Sequence, residues 1–246
     1  MTAVATKKFT ASNLNSFFKC PFKWKLLKID KVSGIYVENE KRDLAENVHR
    51  IIAEYYHLIG SSPTEKQIET VAKDCFKAYF EPIFNAYHSV AEDMIQNFVK
   101  FEKERLKNYR KPIFVEKTLE DNYFKGIIDY FDGVNIIDWK TGSVMGIDDD
   151  LRRQGKIYEI LLNHNGFDDN GKYKTYKIYF VTLKNERVLE LPFTPEAWLM
   201  NQTTQMYSIV NSGKFPKHRS PLCNWCEAQL TCEFEDTTLW SGVDFY

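Results

Sequence analysis

Residues 126–142, GIIDYFDGVNIIDWKTG, constrain this chain more than any other stretch. Two apolar runs flank Asp132-Gly133, a dipeptide that favours chain reversal, so the stretch reads as a β-hairpin. Asp129, Asp138 and Lys140 interrupt those runs. With a two-residue turn, Phe131 pairs with Val134 and Asp129 sits opposite Ile136. Alternation then sends Asp129, Asp138 and Lys140 to one face, with the two acids diagonal neighbours about 7–8 Å apart. A second two-residue turn at Asp121-Asn122 pairs Glu120 with Tyr123 and brings Glu116 to the same face. Carboxylates gathered this way repel one another and take up protons. A hard divalent cation, Mg²⁺ or Mn²⁺, removes that cost, and it can activate a water and offset charge on a phosphoryl group. Lys140 is a compact charge able to contact that water or the phosphate. The competing interpretation is a structural ion pair of Lys140 with Asp138 or Glu116 on a solvated sheet. The strands are apolar on both faces, however, which leaves the acids in need of another reason.

Around the hairpin the pattern changes period. Residues 12–28, SNLNSFFKCPFKWKLLK, open a helix with Ser12 as its cap and restart at Pro21. From Asp43 to Tyr109 apolar residues recur at helical spacing, with breaks near Gly60 to Pro63 and at Pro82. After Pro112, IFVEKTLE, YFKGIIDYF and VNIIDWK predict three strands. DDLRRQGKIYEILLNH predicts a helix, YKTYKIYFVTL and RVLELPF two more strands, and TPEAWLMNQTTQMYSIVNSG a helix capped by Thr194 and closed by Gly213. The chain therefore reads as one domain, 1–246. Within it, 40–110 is a helical subregion and 111–193 a sheet core, and Cys20 with 223–232 holds most of the cysteines.

Composition excludes several classes. With 43% apolar and 27% charged residues the 246-residue chain is expected to pack a soluble globule. Its formal net charge of −1 makes any nucleic-acid surface a local matter. No apolar run reaches the roughly 20 residues that span a bilayer, and MTAVATKKFT lacks a signal-peptide core, so no membrane association and a cytoplasmic address are expected. In a reducing compartment, Cys20, Cys75, Cys223, Cys226 and Cys232 would bind metal or pack in a core rather than form disulfides.

The hairpin resembles the G-x-[IV]-D…[IV]-[IV]-D-x-K-T-G core of the PD-(D/E)XK nuclease superfamily in its RecB-like branch. Glu116 in FVEKTLE matches the acid of the preceding strand, and Gln154 and Tyr158 in RRQGKIYEI match a Gln-x-x-x-Tyr helix. His49 in AENVHRII matches an upstream histidine. SNLNSFFKCPFKW and CNWCEAQLTC are similar to the two ends of RecB-like nucleases that carry an iron–sulfur cluster. The nearest resemblance is to the CRISPR-associated RecB-like exonuclease family and its phage relatives.

That resemblance implies an α/β fold, a restriction-endonuclease-like core with a central mixed sheet flanked by helices. It adds a helical N-terminal part and an iron–sulfur C-terminal segment. It further implies a metal-dependent DNA exonuclease acting on single-stranded ends, 5′ to 3′. Asp129 and Asp138 would bind Mg²⁺ or Mn²⁺ with His49 as a further ligand. Glu116 would assist, Lys140 would position the water, and Gln154 and Tyr158 would steady Lys140 or a phosphate. Cys20, Cys223, Cys226 and Cys232 would hold a [4Fe–4S] cluster, although spacing alone also admits four-cysteine zinc. Arg152, Arg153 and Lys156, beside the site, are expected to contact DNA, and the lysines of the first helix to be either solvated or DNA-bound. CRISPR-adaptation or phage recombination proteins are the implied partners, and a phage protein made in a prokaryotic host is one implied source. Two other functions fit the same motifs: a structure-specific endonuclease, and a non-catalytic DNA-binding member of such a complex.

Overall fold

The computed structural model describes residues 8–32 and 40–232. Contacts divide the chain into two compact units, one of residues 1–12 and 39–199 and one of 13–38 and 200–246.

The first unit holds the helices α3 (Glu40–Leu58), α4 (Glu65–Tyr79), α5 (His88–Glu104) and α6 (Asp149–Leu162), together with the sheet. α1 (Ala11–Lys19) and α7 (Glu196–Ser212) each cross from one unit into the other, and α2 (Pro21–Lys28) belongs to the second. The five-stranded sheet runs β1 (Phe114–Glu120), β2 (Lys125–Phe131), β3 (Asn135–Lys140), β4 (Lys177–Thr182) and β5 (Arg187–Glu190) in chain order. Pairing is antiparallel except between β3 and β4, whose parallel register, Asp138 beside Phe180, demands a crossover that α6 supplies. The expected mixed sheet flanked by helices is therefore present.

Both hairpins are longer than a two-residue turn allows. Phe131 pairs with Ile136, not Val134, and Glu120 with Lys125, not Tyr123. The cause is the aspartate that opens each loop. Asp132 Oδ1 accepts the N–H groups of Val134 (2.9 Å) and Asn135 (2.7 Å), and Asp121 Oδ1 those of Tyr123 (2.7 Å) and Phe124 (2.6 Å). Each side chain satisfies the backbone of a four-residue reversal. The register shifts by two residues in both hairpins. Since side chains alternate with period two, an even shift leaves the acids able to meet.

One face of the sheet packs on α3 and α5, which in turn pack on α4. Trp139 meets Phe98 and Phe101 edge-on at 5.2 and 5.5 Å, and Ile137, Tyr130 and Val181 join the same buried cluster. A charged pair lies inside it. Glu102, fully buried, accepts from Arg105 Nε at 2.5 Å and Tyr56 Oη at 2.7 Å, while Arg105 Nη1 donates to Tyr130 Oη at 2.9 Å. The other face takes α6. A Cβ on Gly155 would come within 2.5 Å of Leu191 Cδ2 and 3.4 Å of Ile178 on β4, so a larger residue here would have to displace the Leu191 side chain.

In the second unit α2 begins at Pro21 with Cys20 as its cap, as the helix restart implies. Trp24 packs against Phe17 and Phe215, with centroids 5.4 and 6.5 Å away, and donates from Nε1 to Asn13 Oδ1 at 3.2 Å. Two expected caps differ. α1 begins at Ala11, ahead of Ser12, and Thr194 Oγ1 donates to Pro192 O instead of capping α7. Gly213 does follow α7, with φ of +68°.

Candidate active site

The acids of the hairpin meet at the divergence of β2 and β3. The antiparallel ladder ends at Tyr130 and Ile137. One residue further, where Asp129 and Asp138 stand across from each other, Asp129 Oδ2 accepts the N–H of Trp139 at 2.9 Å. A side chain thus takes over a backbone position, and the carboxylate is fixed. On the other side Glu116 lies across from Asp129, between the pairs Lys117–Ile128 and Val115–Tyr130. Its φ is +45°, a left-handed conformation uncommon for a residue with a side chain inside a strand. His49, on α3, closes the group, with Nδ1 3.3 Å from Glu116 Oε1 and 3.4 Å from Asp129 Oδ2. Ligand atoms of His49, Glu116 and Asp129 all lie within 4.8 Å of one another.

Asp138 is held separately. Its Oδ1 accepts from Gln154 Nε2 at 2.8 Å and Tyr158 Oη at 3.1 Å, and Gln154 Nε2 also donates to Tyr158 Oη at 2.7 Å. Lys140 Nζ donates to Gln154 Oε1 at 2.7 Å. One helical turn of α6 therefore sets both the aspartate and the lysine, since residues four apart share a helix face. Lys140 Nζ also stands 2.7 Å from Asp138 Oδ2, at ion-pair distance. The approach is not aligned as a hydrogen bond, and this buried oxygen has no hydrogen-bond partner.

Electrostatics follow from the crowding. Burial and then the Asp138 charge push the Asp129 carboxyl up to about 8. Burial alone would lower the His49 pKa, but Asp129, Glu116 and Asp138 outweigh it and raise it to about 9. Burial, then Asp138, holds the Tyr158 hydroxyl well above its ordinary value. An acidic cluster pushed toward holding protons, with one Asp138 oxygen met by the Lys140 charge but by no hydrogen bond, is a donor set that suits a hard divalent ion. The cavity around it has a volume of about 530 Å³. Thr10, Ser12, Lys125 and Ile127 line it too. Sequence reasoning missed these four, because Ser12 was read as a cap and the others carry no motif.

The sites expected to contact DNA are placed differently. Arg153 and Lys156 are 4% exposed and engaged with Asp150 and Glu159. Lys156 Nζ also lies 5.2 Å from the Tyr173 ring centre. α6 is covered nearly all round, and each of these two cations lies against an acid of its own helix rather than projecting from the surface. Arg152 is the more exposed of the three and lies 3.9 Å from Asp149.

The second unit contains Cys20, Cys223, Cys226 and Cys232, all without disulfides. Cys20 Sγ accepts the N–H of Lys23 and Cys223 Sγ that of Ser220, each at 3.4 Å. Phe22 N–H donates to Pro216 O at 3.2 Å, tying the segment before the C-terminal cysteines to α2. Burial raises the Cys232 thiol, Lys217 lowers it, and Cys226, Cys20 and Cys223 raise it, so the four thiols are neighbours. Among the described residues no three of their sulfurs fall within 4.8 Å of one another. Cys75 is apart from them, buried in the first unit as expected of a packing residue.

Residues 8–233 match the family model of the PD-(D/E)XK nuclease superfamily. The fold is similar to the crystal structure of a Eubacterium rectale protein described as a candidate exonuclease, with a TM-score of 0.50, 17% identity and 92% of each chain covered. No curated protein sequence matches the chain. The match over nearly its whole length makes this chain a member of the PD-(D/E)XK nuclease superfamily.

Proposed function

We propose that the protein is a Mg²⁺- or Mn²⁺-dependent deoxyribonuclease that removes nucleotides from single-stranded DNA ends, working 5′ to 3′. The observation that carries the chemistry is the convergence of His49, Glu116 and Asp129 beside an Asp138 oxygen that lacks a hydrogen bond. Asp129 and Asp138 hold the ion, His49 is a further ligand, and Glu116 orients the group. When bound, the ion supplies Lewis acidity to the phosphoryl oxygen and to the attacking water. Lys140 holds that water or a phosphate oxygen by charge. Gln154 and Tyr158 fix Asp138 and Lys140 in register. Water oxygen attacks phosphorus, the P–O ester bond breaks, and the departing oxygen leaves with a proton derived from the water.

Cys20, Cys223, Cys226 and Cys232 are proposed to hold a [4Fe–4S] cluster that fastens α2 to the C-terminal segment. Tetrahedral zinc at about 2.3 Å from each sulfur needs sulfurs under 4 Å apart. A [4Fe–4S] cluster, whose irons each take one thiolate, accommodates sulfurs further apart than that. A brown protein with broad absorption near about 400 nm supports this, and zinc without iron refutes it. Cys226→Ser is expected to lose the absorption and lower the melting temperature.

An end-trimming activity suits a place among recombination or CRISPR-adaptation proteins. The deciding assay follows Mn²⁺-supported degradation of linear single strands labelled at either end, beside a circular strand. Release of the 5′ label first, with the circle intact, is expected. Cleavage of the circle makes the enzyme an endonuclease, and wild-type rates from Asp138→Ala or Lys140→Ala refute the site.

A further inference from the structure

The larger of the two cavities described here is not the one that contains the acids. It is a groove of about 680 Å³ in the first unit, against about 530 Å³ at the candidate active site. Ile137 lines it, whereas its neighbour Asp138 lines the active site, so the groove opens on the other face of the sheet. That volume lies in the range of small-molecule sites.

The chemistry of its walls is one-sided. Arg105, Arg110 and Lys177 line the groove, and no acid does. Arg105 is spent on Glu102, which it meets at 2.5 Å. Arg110 and Lys177 are exposed and carry no ion pair among the described residues. Two acids act on Tyr179 from outside the lining, Asp132 and Glu190. Both oxygens of Asp132 accept hydrogen bonds from the Val134–Asn135 turn and the Asn135 side chain. Glu190 is the cross-strand neighbour of Tyr179 but does not line the groove. The same groove is lined by Tyr109 and Tyr179 and by Asn108 and Asn135. Tyr109 keeps a buried hydroxyl with no hydrogen-bond partner. Aromatic faces stack on bases, side-chain amides read base edges, and cations take phosphate.

We propose that this groove is a second binding site, for a nucleotide phosphate together with its base. Arg110 and Lys177 take the phosphate, and Tyr109 or Tyr179 stacks on the base. The ligand comes either from a free mononucleotide or from a DNA strand passing over the back of the sheet. The site does not depend on catalysis, because none of these residues belongs to the metal group.

The test uses the full chain in EDTA, so that failure of the nuclease chemistry leaves the measurement intact. A fluorescein-labelled oligothymidylate containing 5-iododeoxyuridine is bound to wild type, Arg110→Glu/Lys177→Glu and Arg110→Gln/Lys177→Gln. The expected loss of affinity is about tenfold or more for the glutamate pair and smaller for the glutamine pair. The slope of log affinity against log salt should fall by about 1.4, two contacts at about 0.7 each for single strands. Photocrosslinks are expected on Tyr109 or Tyr179. Protection of these crosslinks by dTMP assigns the groove to a mononucleotide, and protection by unlabelled oligonucleotide alone assigns it to a strand. Unchanged affinity and salt slope overturn the proposal, as do crosslinks confined to the cavity around Asp129. If the double variants unfold, the wild-type crosslink map decides alone.

Discussion

Asp129→Asn should make the metal-free protein more stable and the metal-loaded protein less so. In the free protein the carboxyl is held near 8, against 3.8 for an ordinary aspartate. A folded-state pKa above the unfolded one is a cost that appears as pH rises past about 4 and is complete near 8. At pH 7 roughly three units of that window have been crossed, at about 1.4 kcal/mol each, so the gross cost is on the order of 4 kcal/mol. His49 returns part of it. Burial works against its proton, and the Asp129 charge is the largest influence in favour, so losing that charge forfeits stability that is full below about 6.5 and lost through about 9. A net gain of about 2 kcal/mol for the variant is left, or about 4–8 °C in melting temperature for a chain of this size. Asparagine keeps an oxygen to accept the Trp139 N–H. Divalent ion at a hundred times its dissociation constant adds about 2.7 kcal/mol to wild type, about 5–11 °C. The assay is thermal unfolding at pH 7 in EDTA and in Mn²⁺. The two proteins should exchange order between the conditions. A variant that melts below wild type in EDTA, or that gains as much from Mn²⁺, refutes the argument that these acids are gathered for an ion.

Three further outcomes follow from the same geometry. Gln154→Leu removes bonds to Lys140, Asp138 and Tyr158 together and should lower kcat about 100-fold, whereas Tyr158→Phe, which removes one hydroxyl, should lower it about tenfold; equal effects in single-turnover cleavage would contradict the network. Binding of Mn²⁺ should release protons at pH 7, since ligands bind deprotonated, and calorimetry in buffers of different ionisation heat should show enthalpies that diverge; identical enthalpies would mean that the raised pKa values of Asp129 and His49 are not there. Glu102→Gln strands the buried Arg105 charge and should cost about 3–5 kcal/mol, seen as a fall in melting temperature that Glu102→Met/Arg105→Met largely restores.

The site was legible because its chemistry is local. Asp129, Asp138 and Lys140 lie on one hairpin, and period-two alternation survives an even error in register. That error arose from Asp121 and Asp132, whose side chains close longer loops than the Asp-Asn and Asp-Gly pairs suggest. Gln154 and Tyr158 came from the resemblance, and helical spacing placed the two on one face. His49 stands 67 residues before Glu116, and no periodicity connects them, so the resemblance alone pointed to it. The burial of Arg153 and Lys156 could not be read from the sequence, for a physical reason. A basic residue beside a site looks available in sequence, but α6 is buried on nearly every side, and burial obliges each cation to take an acid. The back-face groove left no motif, since Arg110 and Lys177 are brought together only by the sheet.

The central claim is tested most directly by diffraction from crystals grown with Mn²⁺, using its anomalous signal. The account predicts a peak about 2.0–2.3 Å from an oxygen of Asp129 and one of Asp138, with His49 or Glu116 completing the shell. A map with no peak at this cluster at saturating Mn²⁺, or with the only peak elsewhere on the chain, contradicts it.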